Sequence, residues 1–156
     1  MSITLYVPGD AGALALGADE VAAAMVEQAN ELKLDIDIVR NGSHGMFWLE
    51  PLVEVVTAQG RVAYGPVTVA DVPGLFLANF STGGEHPLRL GDIATLPYLA
   101  RQQRVTMRRV GAVDPRSLAD YLAHGGGKGL ALARSLAPAD IVRMVTDSGL
   151  RGRGGA

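Results

Sequence analysis

Two arginines and four glycines crowd the stretch Ser148-Gly149-Leu150-Arg151-Gly152-Arg153-Gly154-Gly155-Ala156, and their chemistry is that of an anion cradle. Glycine lets a ligand approach the backbone and permits positive φ, so main-chain N–H groups can converge on a phosphate. Arg151 and Arg153 supply the positive charge. A helix N-terminus would complete such a cradle with free N–H groups, and the sequence reaches Ala156 before one begins. Elsewhere, reactive residue types are sparse. There is no cysteine, which excludes disulfides, thiolate nucleophiles and a conventional cysteine-ligated iron–sulfur cluster from this segment. His44, His86 and His124 lack metal-ligand spacing and read as surface or capping residues. No Ser-His-Asp set, Cys-His set or close carboxylate pair forms a complete catalytic constellation. Gly125-Gly126-Gly127-Lys128 lacks both the P-loop spacing and a Ser or Thr after the lysine, so it reads as an interhelical turn.

The elements that must position these residues follow from periodicity. Residues 139–147 read as a helix with an apolar stripe of Ile141, Val142, Met144 and Val145, stopped by Gly149. Residues 3–7 read as a strand ended by Pro8-Gly9-Asp10. A helix is expected over 17–34, with Asp19 and Glu20 in its first turn, where they complement the dipole. Residues 34–40 alternate apolar and charged, as in a strand with one wet face, and Asn41-Gly42 turns the chain. Residues 43–50 form a loop carrying Met46, Phe47 and Trp48, which read as a cover for the core edge or as exposed partner contacts. Residues 52–56 and 61–64 form a β-hairpin. Thr68 to Asp71 has the form of a capping box before a short helix reaching about Ala78. Residues 88–104 show no sustained period and read as a connector. Arg101, Arg104, Arg108 and Arg109 make this the most basic region, read as a solvated face or an interface with an acidic subunit. A short helix follows at 117–122.

Composition sets the outer bounds. The net charge is −2 and 48% of the 156 residues are hydrophobic, only 5% aromatic. Nucleic acid and anionic membrane surfaces therefore have no electrostatic claim on the chain, and the core must be aliphatic. No apolar run approaches the roughly 20 residues that span a bilayer. The start of the chain lacks the pattern of a secretory signal, so the expected location is cytoplasmic.

The order strand, helix, strand, loop, hairpin, helix is most economically buried as a mixed sheet flanked by helices. It resembles the thioredoxin-like ferredoxin domain that carries a two-iron, two-sulfur cluster in the NADH dehydrogenase family. In that pattern a C-x4-C pair precedes Gly17-Ala18, which places Pro8 and Ala13 at ligand positions. A C-x3-C pair precedes Pro51-Leu52-Val53, which places Ser43 and Phe47 there. All four thiolates are missing, so the resemblance implies a ferredoxin-type fold without its cluster. The terminal stretch resembles the start of the glycine-rich flavin and dinucleotide loop in the flavin-carrying subunit of the same family. That likeness makes Gly152, Arg153, Gly154, Gly155 and Ala156 the expected cofactor-binding residues.

The resemblance implies an α/β protein in three parts. Residues 1–80 form a cluster-less thioredoxin-like domain, 81–138 a connector with short helices, and 139–156 the start of an FMN- and NADH-binding domain continued in a longer flavoprotein. A cluster-less domain ahead of a flavin loop is most similar to the beta subunit of soluble NAD-dependent formate dehydrogenases containing molybdenum or tungsten. The implied cofactors of the whole subunit are FMN, NAD and a 4Fe-4S cluster, with none expected on this segment alone. The implied partners are a ferredoxin-like iron–sulfur subunit and a molybdenum or tungsten catalytic subunit. The alternatives are a diaphorase subunit of an NAD-reducing hydrogenase or NADH-quinone dehydrogenase, or a non-redox thioredoxin-like interaction module.

Overall fold

The computed structural model of the chain describes residues 2–152 and Gly154. Two compact units divide it, Met1–Ser117 and Leu118–Ala156.

In the first unit, β1 (Ile3–Tyr6) leads through two helices, α1 (Ala11–Ala15) and α2 (Ala18–Glu31), to β2 (Ile36–Val39). β1 and β2 pair in parallel, with Ile3 opposite Ile36 and Tyr6 opposite Val39. A parallel pair requires a crossover long enough to return to the same end of the sheet, and α2 supplies it. The hairpin of β3 (Val53–Thr57) and β4 (Gly60–Tyr64) joins the other edge of β1, with β3 antiparallel to it. β5 (Arg89–Asp92) pairs antiparallel with β4, giving the sheet order β2-β1-β3-β4-β5. Between β4 and β5 lies α3 (Val72–Leu77). A parallel β-α-β unit joined through its first strand to an antiparallel hairpin, with a helix after the hairpin, is a thioredoxin-like arrangement.

Strand alternation divides the side chains between two faces. One face carries Leu5, Val53, Val55, Val62 and Tyr64 against Val21 and Met25 of α2, Leu75 of α3 and Phe80. The other carries Tyr6, Glu54 and Ala63; Ala63 packs with Met46, Leu52 and Ile93 in a second, smaller cluster. The capping box forms as expected: Thr68 and Asp71 satisfy each other's backbone N–H groups ahead of α3.

Two elements depart from the expected pattern. α1 is five residues long, too short to show a helical period, and it is held by its Asp10 cap. β5 comes from the stretch read as a connector without sustained period. Its sequence Arg-Leu-Gly-Asp has no alternation, and it is a strand because β4 offers it a partner. A single helical turn, α4 (Pro97–Ala100), follows it.

The second unit holds α5 (Leu118–Ala123), α6 (Lys128–Ala133) and α7 (Pro138–Asp147). Residues 125–127 form the interhelical turn. Proline at the first position of α7 and Gly149 at φ 64° after its Ser148 cap give the helix the ends expected of it. Ile141, Met144 and Val145 of its stripe meet Leu132 and Leu136 around a small apolar pocket. No helix among the described residues is long and apolar enough to cross a membrane.

Candidate functional site

The positions singled out as cluster-ligand sites lie on two loops that the fold draws together, residues 8–13 after β1 and 41–50 before β3. Asp10 joins them. Its Oδ1 accepts from the N–H groups of Gly12 at 3.0 Å and Ala13 at 3.4 Å, capping α1, while its Oδ2 accepts from Ser43 N at 2.8 Å. Ser43 Oγ donates to Glu50 Oε1 at 2.7 Å and accepts from Gly45 N at 3.0 Å. Glu50 Oε2 accepts from Leu52 N at 2.8 Å. Burial pushes the Glu50 carboxyl above its ordinary value, and the nearby Asp10 adds to this. The bonds from Ser43 and Leu52, and the proximity of His44, oppose it.

Phe47 lies over the first turn of α1, where a Cβ on Gly12 would come within 3.1 Å of its ring. Ala13 is fully buried. The Pro8 carbonyl accepts from Arg40 Nη2 at 3.1 Å, and Arg40 also holds the Val7 carbonyl and pairs with Asp19 at 2.7 Å. Ala13, Ser43 and Phe47 are thus gathered at one place, with Pro8 at the start of the same loop. The donor set is wrong for an iron–sulfur cluster: Pro8, Ala13 and Phe47 offer no ligand atom, and the Ser43 hydroxyl is committed to Glu50. No group of three or more His, Cys, Asp or Glu able to hold a metal ion occurs among the described residues. The residues present do not fit the cluster.

On the far side of the 41–50 loop sits a constellation that sequence reading missed. His44 read as a surface or capping residue, yet its side chain is only 9% exposed and its Nε2 lies 2.7 Å from Oε1 of the fully buried Glu54. Arg61 Nη1 reaches Glu54 Oε2 at 3.3 Å, and its guanidinium stacks on Tyr6 at 3.7 Å. Gly111 and Ala112 close the site, their carbonyls accepting from Arg61 at 3.2 Å each, and Asn41 Nδ2 also donates to Gly111 O at 2.8 Å. Gly111 sits at φ 76°, and a Cβ there would meet the His44 ring at 2.3 Å, so both conformation and close approach require glycine. The one available signal was a glutamate in the middle of an apolar strand, Leu52 to Val56. Residues of the supposed connector reach that site: Gly111 and Ala112 accept from Arg61, and Arg104 donates to the His44 carbonyl. The cluster holds no nucleophile, and Arg61 and Glu54 are spent on each other. It is a polar lock.

The Met-Phe-Trp loop divides. Met46 is buried in the second cluster, in keeping with its reading as cover for the core edge and not with the exposed-contact alternative, while Phe47 and Trp48 protrude, 57% and 62% exposed. At the terminal loop, Gly152 and Gly154 have open surroundings and Arg151 is exposed. Arg153, Gly155 and Ala156 lie outside the described residues.

Comparison with known proteins finds a short, close likeness. A stretch of 56 residues is 48% identical to the NADP-reducing hydrogenase subunit HndC of Solidesulfovibrio fructosivorans. It spans 36% of this chain and 11% of that subunit. Among solved structures, the thioredoxin-like [2Fe-2S] ferredoxin of Aquifex aeolicus is similar over 58% of this chain and 98% of its own, at 21% identity and a TM-score of 0.47. A cysteine-to-serine variant of that ferredoxin aligns over 58% of this chain and 99% of its own, at 24% identity and a TM-score of 0.46. No family model matches the chain.

Proposed function

We propose that this chain is the N-terminal segment of a flavin-carrying, diaphorase-type subunit in a multisubunit NAD(P)-linked oxidoreductase. Its thioredoxin-like unit serves as a docking scaffold and carries no cluster. The observation that carries this reading is the 48% identity over 56 residues to a subunit of an NADP-reducing hydrogenase. The filled ligand frame at Pro8, Ala13, Ser43 and Phe47 supports the scaffold role, because a unit without thiolates cannot relay electrons through a cluster of its own.

In this reading the remainder of the subunit carries a 4Fe-4S cluster, and the FMN and NAD site begins at Gly152, Arg153, Gly154, Gly155 and Ala156. Within the class, the specific assignment is the beta subunit of a cytoplasmic NAD-dependent formate dehydrogenase, partnered by a ferredoxin-like subunit and a molybdenum or tungsten catalytic subunit. The hydrogenase alternative is favoured by the name of the relative itself. Elemental and flavin analysis of the complex purified on the native full-length protein tests both levels. Flavin and iron with molybdenum or tungsten support the formate assignment. Nickel in their place moves the complex to the hydrogenase class. A protein that purifies with neither flavin nor iron overturns the oxidoreductase reading in favour of a non-redox interaction module, the reading that exposed Phe47 and Trp48 favour.

A further inference from the structure

The edge of the filled frame carries a surface of exposed aromatic and arginine side chains. Trp48 meets Tyr98 of α4 edge-on, with ring centroids 5.3 Å apart. From Tyr98 a chain of bonds runs into the arginine segment. The Tyr98 carbonyl accepts from Gln102 Nε2 at 2.9 Å, Gln102 Oε1 accepts from Arg104 Nε at 3.0 Å, and Arg104 Nη2 returns to the His44 carbonyl at 3.3 Å. Aromatic pair and arginine segment are therefore one continuous surface. Arg101, Arg104, Arg108 and Arg109 fall within nine residues of a chain whose net charge is −2, so positive charge is concentrated here. Val105 and Met107, which lie between Arg104 and Arg108 in the sequence, are both exposed. A pocket of about 420 Å³ opens beside Arg104 and Arg108, with Ile93, Leu99 and Val110 in its wall. Asp92 also lines it, with Oδ1 engaged by Ala94 N at 2.9 Å.

Tryptophan, tyrosine and arginine are the residue types in which interface binding energy concentrates, above all beside a pocket that can desolvate an anchor. The geometry points to this surface as the docking face for an acidic protein partner. Trp48 and Tyr98 form the apolar anchor, and the pocket receives an Asp or Glu side chain against Arg104 and Arg108. The assignment rests on the scaffold reading above and adds to it which face docks and what chemistry it meets. Charge selects the partner class. A second copy of this chain related by a two-fold axis would bring arginines against arginines, and a nucleic acid would gain nothing from Val105 and Met107.

A photo-crosslinking residue installed in place of Tyr98 in the native complex tests this directly. Irradiation followed by peptide mapping should join position 98 to an Asp- or Glu-rich segment of a co-purifying subunit. Adducts to a second copy of this chain, to nucleic acid or to another part of its own subunit overturn the assignment, as does no adduct while a partner subunit is bound. In parallel, Trp48→Ala and the double variant Arg101→Glu, Arg108→Glu should each weaken retention of that subunit about tenfold. The double variant should also flatten the dependence of retention on salt. The substituted side chains are all exposed, so melting temperatures should stay at the parent value, and parent-level retention in both variants counts against the docking face. Flavin present with adducts elsewhere rejects only this face. Absent flavin with adducts on an acidic subunit rejects only the oxidoreductase reading.

Discussion

Glu54 shows how one residue commits a region. A carboxylate with no solvent exposure must be paired, because an uncompensated buried charge costs several kcal/mol. Arg61 and His44 both answer it, and Arg61 in turn organises the Gly111 and Ala112 carbonyls. Arg61→Ala should therefore destabilise the protein by about 3 kcal/mol. The check is a lower urea midpoint with an unchanged denaturant slope; a loss under about 0.5 kcal/mol would mean that His44 alone suffices to compensate Glu54. Glu50 behaves differently, because burial raises its carboxyl above the ordinary 4.5. The folded state then binds that proton more tightly than the unfolded chain does. Its contribution to stability is complete below about pH 4.5 and is lost as pH rises through the raised folded value. Glu50→Gln should flatten stability against pH above 4.5, while costing about 1 kcal/mol because Ser43 and Leu52 N donate to different carboxylate oxygens and Gln keeps only one acceptor oxygen. Stability that still declines with the parent slope in the Gln variant would place the titrating group elsewhere.

Local signals decided which elements could be read in advance. At the Thr68–Asp71 box, Thr68 Oγ1 donates to Asp71 Oδ2 at 2.6 Å, and that bond holds the Asp71 carboxyl below its ordinary value. Thr68→Ala should cost about 1 kcal/mol and move the Asp71 titration upward in an NMR pH series, an unmoved titration showing that the backbone bond alone sets it. The sign is the usual carboxylate one: this stability is present above about pH 3.8 and is lost as pH falls. The box, the hairpin, α2 and α7 were legible because each writes its geometry into adjacent residues, as a cap, a two-residue period or a 3.6-residue period. α1 and β5 were not, being four or five residues whose structure is imposed by Asp10 and by β4. The lock at Glu54 was illegible for a stronger reason. Glu54 and Arg61 share the hairpin, but Gly111, which closes on Arg61 and His44, comes from 50 residues beyond Arg61, and nothing between them encodes the meeting. The frame of Pro8, Ala13, Ser43 and Phe47 was readable only through a family's spacing, while the Asp10–Ser43–Glu50 network that fills it was invisible.

At the scale of the whole molecule, the question is what holds the two loops of a ferredoxin-like frame together when no iron is available. In a cluster-bearing protein, metal binding is itself folding free energy, and chelation undoes both. Here Asp10 bridges the first turn of α1 to Ser43, Ser43 bridges to Glu50, and Phe47 covers Gly12. These contacts close the frame with charge-assisted bonds and apolar cover. The purified chain should therefore keep its melting temperature unchanged in a strong chelator, whereas Asp10→Ala should lower stability by about 1 to 2 kcal/mol through the lost cap and the lost bridge. Anaerobic incubation with iron and sulfide should leave it colourless, since one committed hydroxyl among three carbon side chains gives iron no ligand set. A visible iron–sulfide absorption band, retained through gel filtration and abolished by Ser43→Ala, would show that the frame still assembles a cluster and that the network is a lid over it instead of its replacement.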